Sequence, residues 1–244
     1  MMPKELRGLS WKGYEGQDYE NFWTGPAKQY LDELEQLIVS QSLPGGNAVV
    51  DIGAGFGRMG RCYIGKYRSV HMVEPASNLR EVAARTYGDS LNYHEASIYE
   101  LPFADESFDA AVMVRVFHHL GNSEAALREI HRILKPRGRL VFNYSNKRNI
   151  KRLAQFLTGR ARNPLTQDSE EYASTLIGHH PDYVEHVLSF NGFAIEAQYG
   201  VGVMDKVVGV FPFMGRLLRP SMLFARLLGL LRLAPAQFVV ACKR

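Results

Sequence analysis

Short apolar runs alternate with segments of helical periodicity between residues 45 and 145, and this alternation limits the possible folds more than any other feature. The runs are partly β-branched, and they end at glycine, proline or polar clusters. Strands that alternate with helices indicate a parallel sheet with helices on both faces. The predicted strands are 48–52, 70–73, 91–94, 108–114 and 139–144, and the predicted helices are 26–40, 59–66, 76–86 and 124–134.

The alternation becomes irregular beyond residue 145, where two further strands are predicted at 193–199 and 237–242. With the first five they predict an α/β fold, a Rossmann-like and mostly parallel seven-stranded sheet with helices on both faces. Helices are also predicted at 181–190 and at 221–233, and the second has a wide apolar face.

Neither a repeat nor a linker divides the chain, so we predict a single domain over residues 1–244. Residues 1–45 are predicted to form an N-terminal helical cap. The segments 147–192 and 201–235 are predicted to be lids that bind the acceptor of the reaction described below.

The composition indicates a globular protein with a proper core, because 46% of the 244 residues are hydrophobic and 22% are charged. Cys62 and Cys242 lie far apart and have no metal or redox spacing, so we expect reduced thiols and no metal site. The N-terminus does not resemble a signal peptide, and no apolar run approaches the ~20 residues of a membrane span. The sequence therefore predicts a cytoplasmic protein.

Charge is distributed in blocks along the chain, although the net charge is only +4. Residues 137–167 contain eight basic residues and no acidic one, whereas residues 168–200 contain six acidic residues and no Lys or Arg. No Asp or Glu follows residue 205. Such blocks are typical of solvated faces, and the alternative is that the basic blocks contact an anionic substrate or a membrane surface.

A glycine-rich loop follows the first predicted strand in the sequence VVDIGAGFGRMG, residues 49–60. Glycines at 53, 55 and 57 allow a sharp turn and let backbone N–H groups approach a ligand. Nicotinamide and flavin domains use similar loops. Asp51 argues against them, because a carboxylate there would repel a pyrophosphate but could organise a loop that receives a cationic amino-acid ligand.

Glu74 ends the second predicted strand, 23 residues after Asp51. A carboxylate in this position can accept hydrogen bonds from both hydroxyls of a ribose. The alternative is an ordinary surface glutamate at a strand end.

Several ordered motifs between residues 45 and 145 resemble class I S-adenosylmethionine (SAM)-dependent methyltransferases. The chain is most similar to the small-molecule branch that includes quinone-biosynthesis and antibiotic-tailoring enzymes. The motifs are Asp51-x-Gly53-x-Gly55-x-Gly57, Glu74-Pro75, Leu101-Pro102-Phe103, Ser107-Phe108-Asp109 and Arg132-x-Leu134-Lys135-Pro136-x-Gly138.

The resemblance implies a SAM site at the ends of the first two strands. Asp51 and the loop Gly53, Gly55 and Gly57 would hold the methionyl part, and Glu74 with Pro75 the ribose. Ser97 stands where the family often has an Asp that contacts the adenine amine, and Ile98 would contact the adenine ring. Arg115 begins a loop that closes one side of the pocket. The N-terminal aromatic run predicts a lid from which Tyr14 or Tyr19 reaches the cofactor, or else a helix packed on the core.

The pair His118-His119 directly follows the fourth predicted strand. In related sequences a histidine here often faces the acceptor, so both are candidate catalytic bases, because imidazole titrates near neutral pH. A structural role beside apolar residues is the alternative. Asn143 and Tyr144 end the fifth predicted strand, at the sheet edge where α/β folds bind ligands, and are predicted to contact the substrate.

The sequence therefore predicts a SAM-dependent methyltransferase that acts on an O, N or C atom of a small, hydrophobic or anionic acceptor. The alternatives are a non-catalytic SAM-binding module and a nicotinamide-dependent oxidoreductase. No nucleic acid partner is expected, because the motifs of the amino-methylating and cytosine-methylating enzymes are missing from the sequence. A homodimer and a peripheral contact with a membrane or a lipid-linked substrate are further hypotheses about partners.

Overall fold

The computed structural model describes residues 21–173, 176–214 and 220–244, which include a seven-stranded sheet. The sheet strands are β1 Gly46–Ile52, β2 Tyr67–Val73, β3 Asn92–His94, β4 Phe108–Met113, β5 Leu134–Ser145, β8 Phe193–Val201 and β9 Ala236–Lys243. Their order is β3-β2-β1-β4-β5-β9-β8, and β9 runs antiparallel to the other six strands. The predicted Rossmann-like fold class is thereby confirmed.

Helices cover both faces of the sheet, because successive strand residues point to opposite sides. Val49 belongs to the hydrophobic cluster that includes Ile38 of the first helix, whereas Val50 belongs to a second cluster with Leu127 of the third. The helices are α1 Pro26–Ser42, α2 Ser77–Tyr87, α3 Ser123–Ile133, α4 Ile150–Leu157, α5 Pro181–Phe190, α6 Met204–Val210 and α7 Met222–Leu231.

The helix predicted at 59–66 is wrong. The structure has only a short 3-10 turn there, Gly60–Cys62. Gly57 precedes it with a φ of +80° and Gly65 follows with a φ of +81°, and these left-handed conformations interrupt a helix at both ends.

The sequence patterns also missed a small hairpin between β5 and α5. It consists of β6 Glu170–Ala173 and β7 Leu176–Gly178, which pair antiparallel outside the main sheet. Helix α6 was not predicted either. The predicted helix at 221–233 is confirmed as the shorter α7. Within the described ranges, no helix has the length and apolar character needed to cross a membrane.

Candidate cofactor and acceptor site

The glycine loop follows β1, at the edge of the sheet where the parallel strands end. In the sheet, β2 lies on one side of β1 and β4 on the other, so the direction of the strand order reverses between β1 and β4. Open α/β sheets bind ligands at such a reversal. Gly53, Gly55 and Gly57 have φ angles of +67°, +59° and +80°. The Gly53 amide donates a hydrogen bond to the Val73 carbonyl at 2.8 Å, which ties the loop to β2.

The first two loop glycines differ in the space around them. A Cβ on Gly53 would lie 2.4 Å from a methyl carbon of Val116, whereas a Cβ on Gly55 would meet nothing within 4 Å. Gly53 is therefore required for packing, and Gly55 leaves open space at the loop surface for a ligand.

Glu74 connects this loop to the end of β2. Its Oε2 accepts a hydrogen bond from the Gly55 amide at 2.8 Å, and its Oε1 accepts one from the Ala76 amide at 2.9 Å. Burial raises the pKa of the Glu74 carboxyl, against the effect of these two amides. Each oxygen keeps a second lone pair, so two ribose hydroxyls could still bind here.

Asp51 is buried at the end of β1 and accepts a hydrogen bond from the Tyr63 hydroxyl. Burial raises the pKa of the Asp51 carboxyl to about 7, although the Tyr63 hydrogen bond opposes this shift. A cationic ligand nearby would favour the ionised form. The side chain therefore suits the ammonium-bearing and sulfonium-bearing part of SAM.

The adenine contacts predicted for Ser97 and Ile98 stay predictions. Ser97 is exposed, and its hydroxyl accepts a hydrogen bond from the Tyr99 amide at 3.3 Å, while Ile98 is half-buried. Pro75 lies between Glu74 and α2, and its carbonyl accepts a hydrogen bond from Arg80. Tyr14 and Tyr19 lie outside the described residues.

Arg115 has a φ of +63°, a conformation that is costly for a residue with a Cβ. Asn143 stabilises it, because its Oδ1 accepts a hydrogen bond from the Arg115 amide at 2.6 Å. The predicted substrate residue Asn143 thus shapes the loop after β4. Tyr144 is buried in the hydrophobic cluster with α3 and α5, and burial raises the pKa of its hydroxyl. A substrate contact for either residue stays a prediction.

A buried ion-pair network, which the sequence patterns did not reveal, joins α1 to both loops. Glu35 is fully buried, and it accepts hydrogen bonds from Arg115 and Arg58, each at 2.6 Å. Arg58 directly follows Gly57, and its guanidinium lies 3.7 Å from the ring centroid of Trp23. The sequence contained one sign of this network: Glu35 follows the buried Leu31 by one helical turn, which places a carboxylate on the apolar side of α1.

The histidine pair lies on a short 3-10 turn, Phe117–His119, directly after the loop that follows β4. His118 is buried, and its ring centroid is 4.2 Å from that of the half-buried His119. Burial, followed by the charges of His119 and Arg115, lowers the pKa of His118 well below its usual value. His118 is therefore neutral at pH 7 and able to accept a proton.

A third histidine, His179, contacts the same turn. Its ring lies edge-on to Phe117 with centroids 5.0 Å apart, and its Nδ1 is hydrogen-bonded to the Ser169 hydroxyl at 2.9 Å. Burial lowers the pKa of His179 to about 4. In the part of the chain that the structure describes, no three His, Cys, Asp or Glu side chains could share a metal ion.

Together, the strand order, the glycine loop and the acidic ends of β1 and β2 define the class I SAM-dependent methyltransferase architecture. The residues fit SAM: Asp51 and the loop would hold the methionyl part, and Glu74 the ribose. When bound, SAM supplies an electrophilic methyl group on its sulfonium.

Comparisons with known proteins agree with this class. A family profile described as a methyltransferase domain matches residues 50–142. An uncharacterized methyltransferase of Anoxybacillus flavithermus is 24% identical over 188 residues, which cover 73% of this chain and 86% of the relative. The ubiquinone/menaquinone biosynthesis C-methyltransferase UbiE of Hahella chejuensis is 30% identical over 154 residues, covering 56% of this chain and 62% of the relative.

A solved SAM-dependent methyltransferase from Mesorhizobium loti has the same fold. Its TM-score is 0.63 at 21% identity, and the alignment covers 86% of this chain and 98% of that one. The chain is therefore a class I SAM-dependent methyltransferase, and SAM is its cofactor.

Replacing Gly53 by alanine should abolish tight SAM binding and destabilise the fold. The new Cβ would both occupy a left-handed conformation, costing about 1–3 kcal/mol, and collide with Val116. Gly88→Ala is the matched control, because Gly88 has a φ of +51° but nothing within 4 Å of a Cβ. Thermal unfolding and SAM titration of both variants would test this. Equal effects of the two substitutions would contradict the role assigned to the Val116 contact.

Proposed function

We propose that the enzyme transfers the methyl group of SAM to an oxygen or an acidic carbon of a small, hydrophobic or anionic acceptor. The observation that supports this proposal is the buried and neutral His118, which lies beside His119 on the turn after β4. An acceptor that loses a proton during transfer benefits from such a base. An amine acceptor would need only to arrive uncharged.

The rest of the acceptor site is proposed to lie between this turn and the segment 147–192. Lys147 is buried at the start of that segment, and its ammonium donates hydrogen bonds to the Thr166 hydroxyl at 2.7 Å and to the Asp168 carboxylate at 2.8 Å. His179 then packs against Phe117. The Lys147 contacts fold the segment back on itself and the His179 contact holds it against the histidine turn, so its loops are positioned to enclose an acceptor and exclude water.

The named relative supports a hydrophobic acceptor in particular. UbiE carries the name of a C-methyltransferase of ubiquinone and menaquinone biosynthesis, and quinones are hydrophobic ring compounds. A carbon of a hydroxylated aromatic ring becomes nucleophilic when a base removes the hydroxyl proton. The test is to offer the enzyme methyl-labelled SAM with hydroxylated aromatic compounds and, separately, with amines of similar size. Label transfer to hydroxylated compounds is expected. Transfer only to amines would contradict the proposal.

Replacing Glu74 by alanine should weaken SAM binding by about 1.5–3 kcal/mol, since charge-assisted hydrogen bonds to the ribose are lost. Isothermal titration calorimetry measures this directly. The control is Glu81→Ala, which removes an exposed carboxylate from the neighbouring α2. Wild-type affinity in the Glu74 variant would remove the basis for placing the ribose at the end of β2.

A further inference from the structure

Helix α7 carries its large apolar side chains on the outside. Ala225 and Gly229 are buried, and a Cβ on Gly229 would lie 2.3 Å from a backbone oxygen of β8, so this side of the helix faces the sheet. The opposite side presents Leu223, Leu227 and Leu230, which are 81%, 53% and 71% exposed. A surface helix of a globular protein normally has the reverse arrangement.

Helix α4 adjoins α7 and is also apolar on the outside. The Ile150 amide at its start donates a hydrogen bond to the Leu233 carbonyl at 3.0 Å, just beyond the end of α7. Ile150 is 60% exposed, and Leu157 at the other end of α4 is 84% exposed. We call the outward side chains of both helices the α4–α7 surface; they are Ile150, Phe156, Leu157, Leu223, Phe224, Leu227, Leu230 and Leu231.

Charge identifies the partner that suits this surface. Residues 137–167 contain eight basic residues and residues 206–244 contain seven, and neither block contains an acidic residue. Several of these cations form ion pairs with carboxylates from other segments; they are Arg139, Lys147, Arg152, Arg232 and Lys243. Lys151 and Arg226 are exposed on α4 and α7 themselves. A second copy of this chain would place these exposed cations against each other, whereas an anionic lipid bilayer offers both negative headgroups and an apolar interior.

We propose that the α4–α7 surface docks on an anionic lipid bilayer and that the acceptor enters the enzyme from that bilayer. The chain just before α4 contacts His179, because the Lys147 amide donates a hydrogen bond to the His179 carbonyl at 3.0 Å. His179 in turn contacts the histidine turn, so the docked surface would adjoin the acceptor entrance. The docking is inferred from the α4–α7 surface alone, whereas the entry of the acceptor from the bilayer rests on the proposed function.

The full chain should co-sediment with vesicles of phosphatidylglycerol and phosphatidylcholine, and much less with vesicles of phosphatidylcholine alone. Raising the salt concentration from about 0.1 M to about 1 M shortens the Debye length from about 10 Å to about 3 Å and should release it. The double variant Leu227→Ser, Leu230→Ser should bind about tenfold more weakly or worse, since two apolar anchors are lost.

Phe190→Ser is the matched control, because Phe190 is 69% exposed on α5, which packs on the other face of the sheet. Its vesicle binding should equal that of the wild type. Failure of the wild type to sediment, or equal sedimentation of the double variant, would overturn the proposal. So would a wild-type dimer that the double variant converts to a monomer. Failure of the proposed function is distinguishable from these outcomes, because the label-transfer test uses free acceptors without vesicles and its negative result is transfer only to amines.

Discussion

Glu35→Gln is expected to lower the free energy of unfolding by about 3 kcal/mol, which corresponds to a fall in Tm of about 6–12 °C for a domain of this size. Glu35 is fully buried between Arg58 and Arg115. Glutamine keeps the shape but removes the charge, so both guanidinium groups lose their buried partner. Asp32 remains paired with Arg58 in the variant, which keeps the loss near the lower end of the usual range.

The effect should depend on pH in a definite direction. Burial alone would raise the pKa of the Glu35 carboxyl, but Arg115 and Arg58 hold it below its usual value of 4.5. A carboxyl with a lowered folded-state pKa stabilises the protein above the unfolded-state value, and this stabilisation is lost as the pH falls through the folded-state pKa. The difference in the free energy of unfolding between the wild type and Glu35→Gln should therefore have its full size at pH 7 and become smaller below about pH 4.5.

Asp32→Asn provides the matched control for this variant. Asp32 also pairs with Arg58, but a quarter of its side chain is exposed, so its loss should cost about 1 kcal/mol or less. Calorimetric unfolding of both variants at several pH values would measure the contrast. A Glu35→Gln protein as stable as Asp32→Asn at pH 7 would contradict the assigned role.

The same variant should distinguish SAM from its demethylated product. SAM carries a positive sulfonium, whereas the product has a neutral thioether. Without the Glu35 charge, Arg58 next to the glycine loop is less well neutralised, and repulsion should weaken SAM binding more than product binding. A purely mechanical loosening of the loop would weaken both ligands alike, so titration with each ligand separates the two explanations.

The sheet could be predicted from the sequence because its signals are local. Central strands such as β1 and β4 are mostly apolar and short, and turn residues delimit them. The helix predicted at 59–66 was wrong because the apolar spacing of this segment suits a helix, but the flanking glycines adopt left-handed conformations. The β6–β7 hairpin was missed because its strands are only four and three residues long, which is too short to show an alternating pattern.

The site was predictable in part for a similar reason. Asp51, the glycine loop and Glu74 lie at strand ends, and the topology alone brings strand ends together. Glu35, Arg58 and Trp23 meet only through tertiary packing; helical spacing places Glu35 on the apolar side of α1, but it does not identify Arg58 or Trp23 as neighbours. His179 lies 61 residues after His118 and approaches the turn only because the segment after β5 folds back. Such long-range pairs leave no periodic pattern in one sequence.

Replacing His118 by alanine should reduce turnover by about 10²–10⁴-fold while SAM binding stays nearly intact, provided that the acceptor loses a proton during transfer. Both histidines of the pair are tested, and His118 is distinguished by burial, which lowers its pKa and holds its imidazole in the neutral form. Single-turnover rates and SAM titration should be measured on His118→Ala and His119→Ala. Wild-type turnover in both variants would exclude a histidine base and favour an amine acceptor.

The pH dependence of the wild-type rate tests the same assignment without a substitution. Burial lowers the pKa of His118 well below 6.5, so the base stays in its neutral form as the pH falls past that value. The acidic limb of the pH–rate profile should therefore lie below pH 6.5, whereas an unperturbed imidazole would place it at about 6.5.

The stability of the protein must be measured over the same pH range. Buried neutral histidines such as His118 and His179 destabilise the fold below pH 6.5, because the unfolded chain then binds more protons. An acidic limb that coincides with unfolding would report this linkage, and one that precedes unfolding would report the base.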